Sequence, residues 1–308
     1  MPATDSFLRG VFVPLVTPFG PSGELDEGAL EHLLEFLIEA GVHGLFVGGT
    51  TGEFPLLRPS ERKRMAEVVT AGSAARVPVV VQSGAAATRD AIDLTRHARD
   101  IGATAAAVVA PYFFPLADDA LIDHYVAVCS AVPEFPILLY NIPQRTGNAL
   151  LPAIAAEIVR RCPNVVGIKD SSGNLSQTIQ YRAAGAGFQV AQGADGLLVA
   201  GLAMGIQATV SGNANVFPEL AVAVFEAWWR GDQEGARAAQ ERLDRVRHAL
   251  RDGLDLSLFK RVLARRGYPV GDVRSPLPRA SQAEVDEAVA AIQAASIPLE
   301  ARSLVGHL

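Results

Sequence analysis

What most constrains this chain is an alternation that recurs eight times. From residue 10 to about residue 230, short and almost uninterrupted apolar runs alternate with longer stretches whose apolar residues return every three to four positions. The runs at Val11–Val16, Gly44–Val47, Pro78–Gln82, Ala105–Ala110, Pro136–Asn141, Val165–Lys169, Phe188–Gln192 and Gln207–Ser211 read as parallel strands. A strand covered on both faces has no reason to alternate polar with apolar residues. The helical period falls on Glu27–Glu39, Ser60–Ala74, Thr88–Ile101, Asp119–Ser130, Leu151–Arg161, Leu175–Ala184, Asp195–Met204 and Pro218–Arg230, with Ser60 and Thr88 expected as N-caps. Eight βα units predict a TIM (β/α)8 barrel, the alternative being an open doubly wound sheet. The open sheet would bring a Gly-x-Gly-x-x-Gly turn after its first strand, where Thr17-Pro18-Phe19-Gly20 stands instead. We therefore expect a barrel over residues 1–230. Three more helical patterns, Gln233–Leu250, Ser257–Arg266 and Gln282–Ala295, predict a C-terminal three-helix extension over 231–308.

Composition narrows the partners. A net charge of −6 with no basic tract argues against nucleic acid and anionic membrane, leaving small molecules. No uncharged apolar run reaches the roughly 18 residues that a bilayer span needs. The start, Met1-Pro2-Ala3-Thr4-Asp5-Ser6-Phe7, lacks a basic region followed by an apolar one, so a cytoplasmic protein is expected. Cys129 and Cys162 lie far apart in sequence and read as reduced core thiols. The six histidines, His32, His43, His97, His124, His248 and His307, show no ligand spacing, which disfavours a metal-dependent reaction.

Among 27 basic residues only Lys63, Lys169 and Lys260 are lysines. Arginine is this chain's default cation, and an amine that must shed its proton and attack a carbonyl has to be lysine. Lys169 closes an apolar strand, at the end of a barrel where active sites lie. It could also be a strand-end lysine paired with Asp170. Strand two ends in Gly48-Gly49-Thr50-Thr51-Gly52-Glu53, whose backbone N–H groups and hydroxyls could receive a carboxylate or could simply turn the chain. Strand five ends in Tyr140, a phenol able to shuttle protons with the lysine of strand six, and Arg145 follows as a possible carboxylate clamp or an ordinary loop arginine. Tyr112-Phe113-Phe114 after strand four suggests packing or a subunit interface. Gly193 and Ser211 stand at the ends of strands seven and eight. An amine nucleophile, a phenol and a carboxylate-binding loop are the components of Schiff-base chemistry on a 2-oxo acid.

Gly49-Thr50-Thr51-Gly52-Glu53, Tyr140-Asn141-Ile142-Pro143 and Gly167-Ile168-Lys169-Asp170, in this order, resemble the dihydrodipicolinate synthase and N-acetylneuraminate lyase superfamily over essentially the whole chain. The resemblance implies a pyruvate lyase or synthase without cofactor or metal, in which Lys169 forms the imine and Tyr140 relays protons. Thr50 and Thr51 would hold the pyruvate carboxylate and orient Tyr140, and Gly49, Gly193 and Val210 would line the pocket beside Ser211. It further implies a homotetramer, a dimer of dimers, with an aromatic such as Tyr112 or Phe113 reaching into the neighbouring subunit. Arg145 matches the arginine that holds aspartate semialdehyde in the synthases. Phe113 departs from their second tyrosine, and Asp170-Ser171-Ser172-Gly173 is similar to 2-keto-3-deoxy sugar acid aldolases. The expected reaction is that of a 4-hydroxy-tetrahydrodipicolinate synthase, the alternatives being a sugar-acid aldolase or dehydratase and a non-catalytic 2-oxo acid binding protein. Phe54-Pro55-Leu56-Leu57, Pro59, Arg62 and Ala86 depart from the polar lysine-feedback site of bacterial synthases, which predicts no inhibition by lysine.

Overall fold

The computed structural model describes residues 7–253 and 255–300. Eight parallel strands form a closed barrel in chain order: β1 (Gly10–Pro14), β2 (Gly44–Val47), β3 (Val79–Gln82), β4 (Ala105–Val109), β5 (Ile137–Asn141), β6 (Val165–Asp170), β7 (Gln189–Gln192) and β8 (Ala208–Val210). Each lies within two residues of its expected bounds. Nearly every strand residue is buried, which is why their sequences lack polar alternation.

The barrel helices are α1 (Glu27–Glu39), α2 (Pro59–Ser73), α3 (Thr88–Asp100), α4 (Asp118–Ser130), α5 (Pro143–Thr146), α6 (Pro152–Arg161), α7 (Leu175–Gln180), α8 (Leu198–Ala203) and α9 (Pro218–Trp229). Two expected helices are shorter than their periodic patterns. The one over 175–184 ends at Gln180 and continues as a 3-10 turn, Tyr181–Ala183, where the buried Tyr181 hydroxyl donates to the Leu150 carbonyl and fixes the chain. The one over 195–204 opens as a 3-10 turn, Asp195–Leu197, containing Gly196.

The two N-cap expectations are corrected. α2 is capped at Arg58, with Pro59 at the first helical position and Glu61 Oε2 accepting from the Arg58 N–H at 2.7 Å. α3 is capped at Ala87, because the Thr88 hydroxyl is engaged with His124 Nδ1 at 2.9 Å. Asp26, Asn174, Asp232, Asp255 and Ser281 do act as side-chain caps, for α1, α7, α10 (Gln233–Ala249), α11 (Leu256–Arg265) and α12 (Gln282–Ala294). The last three helices are the expected extension, which is described as far as residue 300.

The chain forms two compact units. One comprises residues 78–210, with the described residues 7–9, and carries β3 to β8. In it Leu8 N–H reaches Gln189 Oε1 at 3.0 Å, and Cys129 and Cys162 are free and buried. The hydrogen bond that Cys129 donates to the neighbouring Cys162, reinforced by burial, pushes the Cys129 thiol up. The other unit joins residues 10–77 to 211–300. There β1 pairs with β2, Asn215 bonds both Val16 N–H and the Pro14 carbonyl, and Phe36 of α1 stacks on Tyr268 with ring centres 4.0 Å apart.

Candidate active site

β5 and β6 run side by side with Tyr140 opposite Lys169 and Asn141 opposite Asp170. Side chains alternate across a strand, so each register pair occupies one face. The outer pair is identified by its partners. The Asp170 carboxylate accepts from Asn141 Nδ2 at 2.9 Å, Ser172 N–H at 3.1 Å, Ser172 Oγ at 2.9 Å and Thr178 Oγ1 of α7 at 2.6 Å. Asn141 Oδ1 accepts from Leu150 N–H at 3.0 Å, and its amide also donates to the Tyr181 hydroxyl. Burial, seconded by Asp170, raises the Tyr181 pKa. Asp170 thus fastens β6 to the helical shell.

Tyr140 and Lys169 consequently face the barrel interior. Lys169 Nζ lies 4.1 Å from the centre of the Tyr140 ring, and the residues are 4% and 1% exposed. An amine and a phenol withdrawn from solvent and held on neighbouring strands can exchange protons with a molecule bound above them. Behind them, Gly167 has no room for a side chain, since a Cβ would fall 2.4 Å from the Gln189 carbonyl oxygen of β7. Gly193 is also close-packed, though its nearest neighbour is a side-chain hydroxyl that can rotate. Its N–H donates to the Asp170 carbonyl at 2.8 Å, and a Cβ would meet Ser171 Oγ at 2.1 Å. Val210 is buried at the end of β8.

Arg145 is exposed on α5, a four-residue helix too short to leave a periodic pattern in the sequence. Just beyond it, Asn148 holds the loop after β4, with Oδ1 accepting from Leu116 N–H and Nδ2 donating to the Pro111 and Phe114 carbonyls, each at 2.8 Å. Sequence reading passed over Asn148, because a buried loop asparagine has no spacing to betray it. The loop it holds presents Phe113, 85% exposed, edge-on to Phe114, 69% exposed, while Tyr112 is half-buried. Phe113 has φ 83°, a conformation costly for any residue with a Cβ.

Thr50, Thr51, Gly49 and Ser211 belong to the other unit. The Gly49–Glu53 loop is wound tightly, with Gly52 N–H donating to Gly49 O at 3.1 Å and Glu53 N–H to Thr50 O at 3.0 Å. Gly48 and Glu53 both take positive φ, 66° and 59°. A Cβ on Gly52 would come within 2.9 Å of the Leu15 carbonyl oxygen, and Thr17 Oγ1 donates to the Gly52 carbonyl at 2.5 Å. Gly49 is buried, whereas Thr50 and Thr51 are half-buried. Ser211 N–H donates to Phe12 O at 2.9 Å, and its Oγ accepts from Ala214 N–H at 3.3 Å.

Glu53 is the residue whose importance sequence reading missed. Its Oε1 lies 2.6 Å from Nζ of Lys260 on α11, both side chains fully buried, a contact of charge more than a well-aimed hydrogen bond. Oε2 accepts from Arg274 N–H at 2.8 Å. Burial lowers the Lys260 pKa, against the opposing pull of Glu53. The scarcity of lysines that drew attention to Lys169 applies equally to Lys260.

With this geometry in hand, the similarities to known proteins fall into place. The model of the dihydrodipicolinate synthetase family matches residues 7–295. The chain is 39% identical over 289 residues to the 4-hydroxy-tetrahydrodipicolinate synthase of Hyphomonas neptunium, covering 92% of this chain and 97% of that one. It is 40% identical over 271 residues to an uncharacterized DapA-like lyase of Halobacterium salinarum, covering 88% of each. Among solved structures, a prophage protein of the dihydrodipicolinic acid synthase family from E. coli K12, in complex with pyruvate, aligns with TM-score 0.89 at 29% identity, covering 94% of this chain and 99% of that one.

Proposed function

Because the chain belongs to the dihydrodipicolinate synthetase family, we propose that it is a metal-independent class I lyase joining pyruvate to aspartate semialdehyde through an imine on Lys169. The reaction is that of a 4-hydroxy-tetrahydrodipicolinate synthase. The observation that carries this reading is the buried pair of Lys169 Nζ and the Tyr140 ring, 4.1 Å apart on adjoining strands.

The neutral amine of Lys169 adds to C2 of pyruvate, and loss of water leaves the imine. Removal of a C3 proton gives an enamine whose C3 bonds to the aldehyde carbon. Each step moves a proton, and Tyr140 is the group beside the amine that moves it. Thr50 and Thr51 receive the pyruvate carboxylate, with Gly49, Gly193, Val210 and Ser211 shaping the space around it. Arg145 takes the carboxylate of the semialdehyde. Phe113 has no hydroxyl, so no proton passes through that position. The exposed aromatic loop Tyr112–Phe114 supports self-association, as a homotetramer built from two dimers. Two free cysteines and the absence, among the described residues, of any helix long and apolar enough to cross a membrane support a cytoplasmic setting.

Borohydride reduction with pyruvate, read by mass spectrometry, is expected to leave one pyruvyl adduct on Lys169 and none in Lys169→Arg, which keeps the charge but not the nucleophile. Absence of an adduct with any 2-oxo acid ends the imine mechanism. Aspartate semialdehyde, glyceraldehyde and N-acetylmannosamine, each supplied with pyruvate, then identify the aldehyde, and a preference for glyceraldehyde would transfer the reading to sugar-acid aldolase.

A further inference from the structure

The Gly49–Glu53 loop ends on a residue that the proposed chemistry leaves without a task. Glu53 is 2% exposed, in the left-handed conformation, and its carboxylate is directed at the C-terminal segment of its own unit. A buried carboxylate is costly unless paired, and here both oxygens have partners from the C-terminal segment, Lys260 Nζ at 2.6 Å and Arg274 N–H at 2.8 Å.

Those partners are themselves held. Lys260 Nζ donates to the Asp272 carbonyl at 3.0 Å and lies 4.4 Å from the centre of the Phe19 ring. The Arg274 guanidinium covers the same ring at 4.4 Å, donates to the Leu56 carbonyl at 2.9 Å, and forms two 2.8 Å bonds with Glu61 at the start of α2. Phe19 N–H in turn reaches the Val270 carbonyl at 3.1 Å. Segment 270–274 and α11 therefore hold the chain at Glu53, just beyond it at Leu56 and Glu61, and at Phe19. A surface charge pair would be cheap to lose, but parting a fully buried one leaves an uncompensated charge, so it restrains the residue that bears it.

We infer that Glu53 and Lys260 are positioning residues for pyruvate: their buried ion pair, drawn from the C-terminal extension, sets the backbone of the Gly49–Glu53 loop and with it the direction in which Thr50 and Thr51 present their donors. The inference rests on the assignment of Thr50 and Thr51 to the pyruvate carboxylate. It gives the extension a part in substrate binding. A donor displaced by a fraction of an ångström weakens a carboxylate contact without touching the amine that does the chemistry, so the effect falls on pyruvate affinity before it falls on turnover.

The test uses the full-length protein. The pyruvate dependence of the borohydride-trapped adduct on Lys169, and KM and kcat with aspartate semialdehyde, are measured for the wild type, Glu53→Gln, Lys260→Met and the double variant. The expected result is that each single variant raises the pyruvate concentration for half-maximal trapping and KM for pyruvate by roughly tenfold or more, with kcat within about threefold and the adduct still complete at saturation. The double variant, which leaves no unpaired buried charge, is expected to recover most of that loss. If Lys260→Met does not fold, Glu53→Gln and the double variant carry the test, because the glutamine carbonyl can still accept from Arg274 N–H. A fall in Tm with an unchanged pyruvate dependence would make the pair purely structural and overturn the inference. A wild type that gives no adduct overturns the imine reading itself, a result distinguishable at the first measurement.

Discussion

Replacing Tyr140 by phenylalanine removes one oxygen and leaves the ring beneath Lys169. Since Nζ lies 4.1 Å from the ring centre, the cation–π contact, worth about 0.5–2 kcal/mol at a desolvated site, survives the substitution. The ring is 1% exposed and its packing is also kept, so the loss of stability is that of a hydroxyl, about 1 kcal/mol. For a chain of this size that lowers Tm by about 1–2 °C. The chemical consequence is much larger, because a positioned acid–base group contributes about 10²–10⁴-fold to rate. At 1.36 kcal/mol per decade this is about 3–5 kcal/mol of barrier, well clear of the stability effect. Steady-state turnover with pyruvate and aspartate semialdehyde should fall by that factor, and the borohydride-trapped adduct should form more slowly but reach completion. Tyr140→Ala also removes the ring and should cost about 3–5 kcal/mol of stability. If Tyr140→Phe keeps kcat within about threefold, Tyr140 is a packing residue and the proton route must be sought elsewhere.

Arg145→Ala, on an exposed turn, should raise KM for aspartate semialdehyde by about 10–100-fold, the worth of a hydrogen bond to a charged group, while pyruvate trapping is unchanged. A parallel loss of trapping would remove Arg145 from the second substrate. Lysine at physiological concentration should leave the initial rate unaltered, because the region where feedback-sensitive relatives carry polar residues holds the buried Phe54 with Arg62 5.2 Å from its ring centre. Dose-dependent inhibition would contradict this. Burial of His124 pushes its pKa down to about 4. The unfolded chain, with a value near 6.5, binds that proton more readily, so stability should be complete above about pH 6.5 and decline by about 3 kcal/mol as pH falls to about 4. Denaturant unfolding at several pH values should show a shallower decline in His124→Gln. Identical slopes would exclude His124 as the cause.

The barrel was legible because its strands are buried on both faces and its helices on one, and both conditions leave periodic traces. Lys169 was legible through scarcity and Tyr140 through its place at a strand end. What periodicity cannot carry stayed hidden. The two N-caps failed because Pro59 and the Thr88–His124 bond decide those helix starts, one by fixed φ and the other through a residue 36 positions away. The short helix around Arg145, the clamp formed by Asn148 and the four bonds converging on Asp170 depend on partners brought together by folding. Glu53 is the sharpest case: within its motif it reads as a polar residue in a turn, and only the fold supplies Lys260 beneath it.

The distance along the chain between Glu53 and Arg274, 221 residues, also acts as a clock. At roughly 5–20 residues per second on the ribosome, a carboxylate made early waits on the order of 10–40 s for the segment that neutralises it. Throughout that interval the emerging polypeptide has its first two strands and its glycine-rich turn but cannot bury the turn's terminal charge without penalty. The Gly49–Glu53 loop is therefore expected to be one of the last features to set as the polypeptide is synthesised, although its threonines are among the first residues to appear.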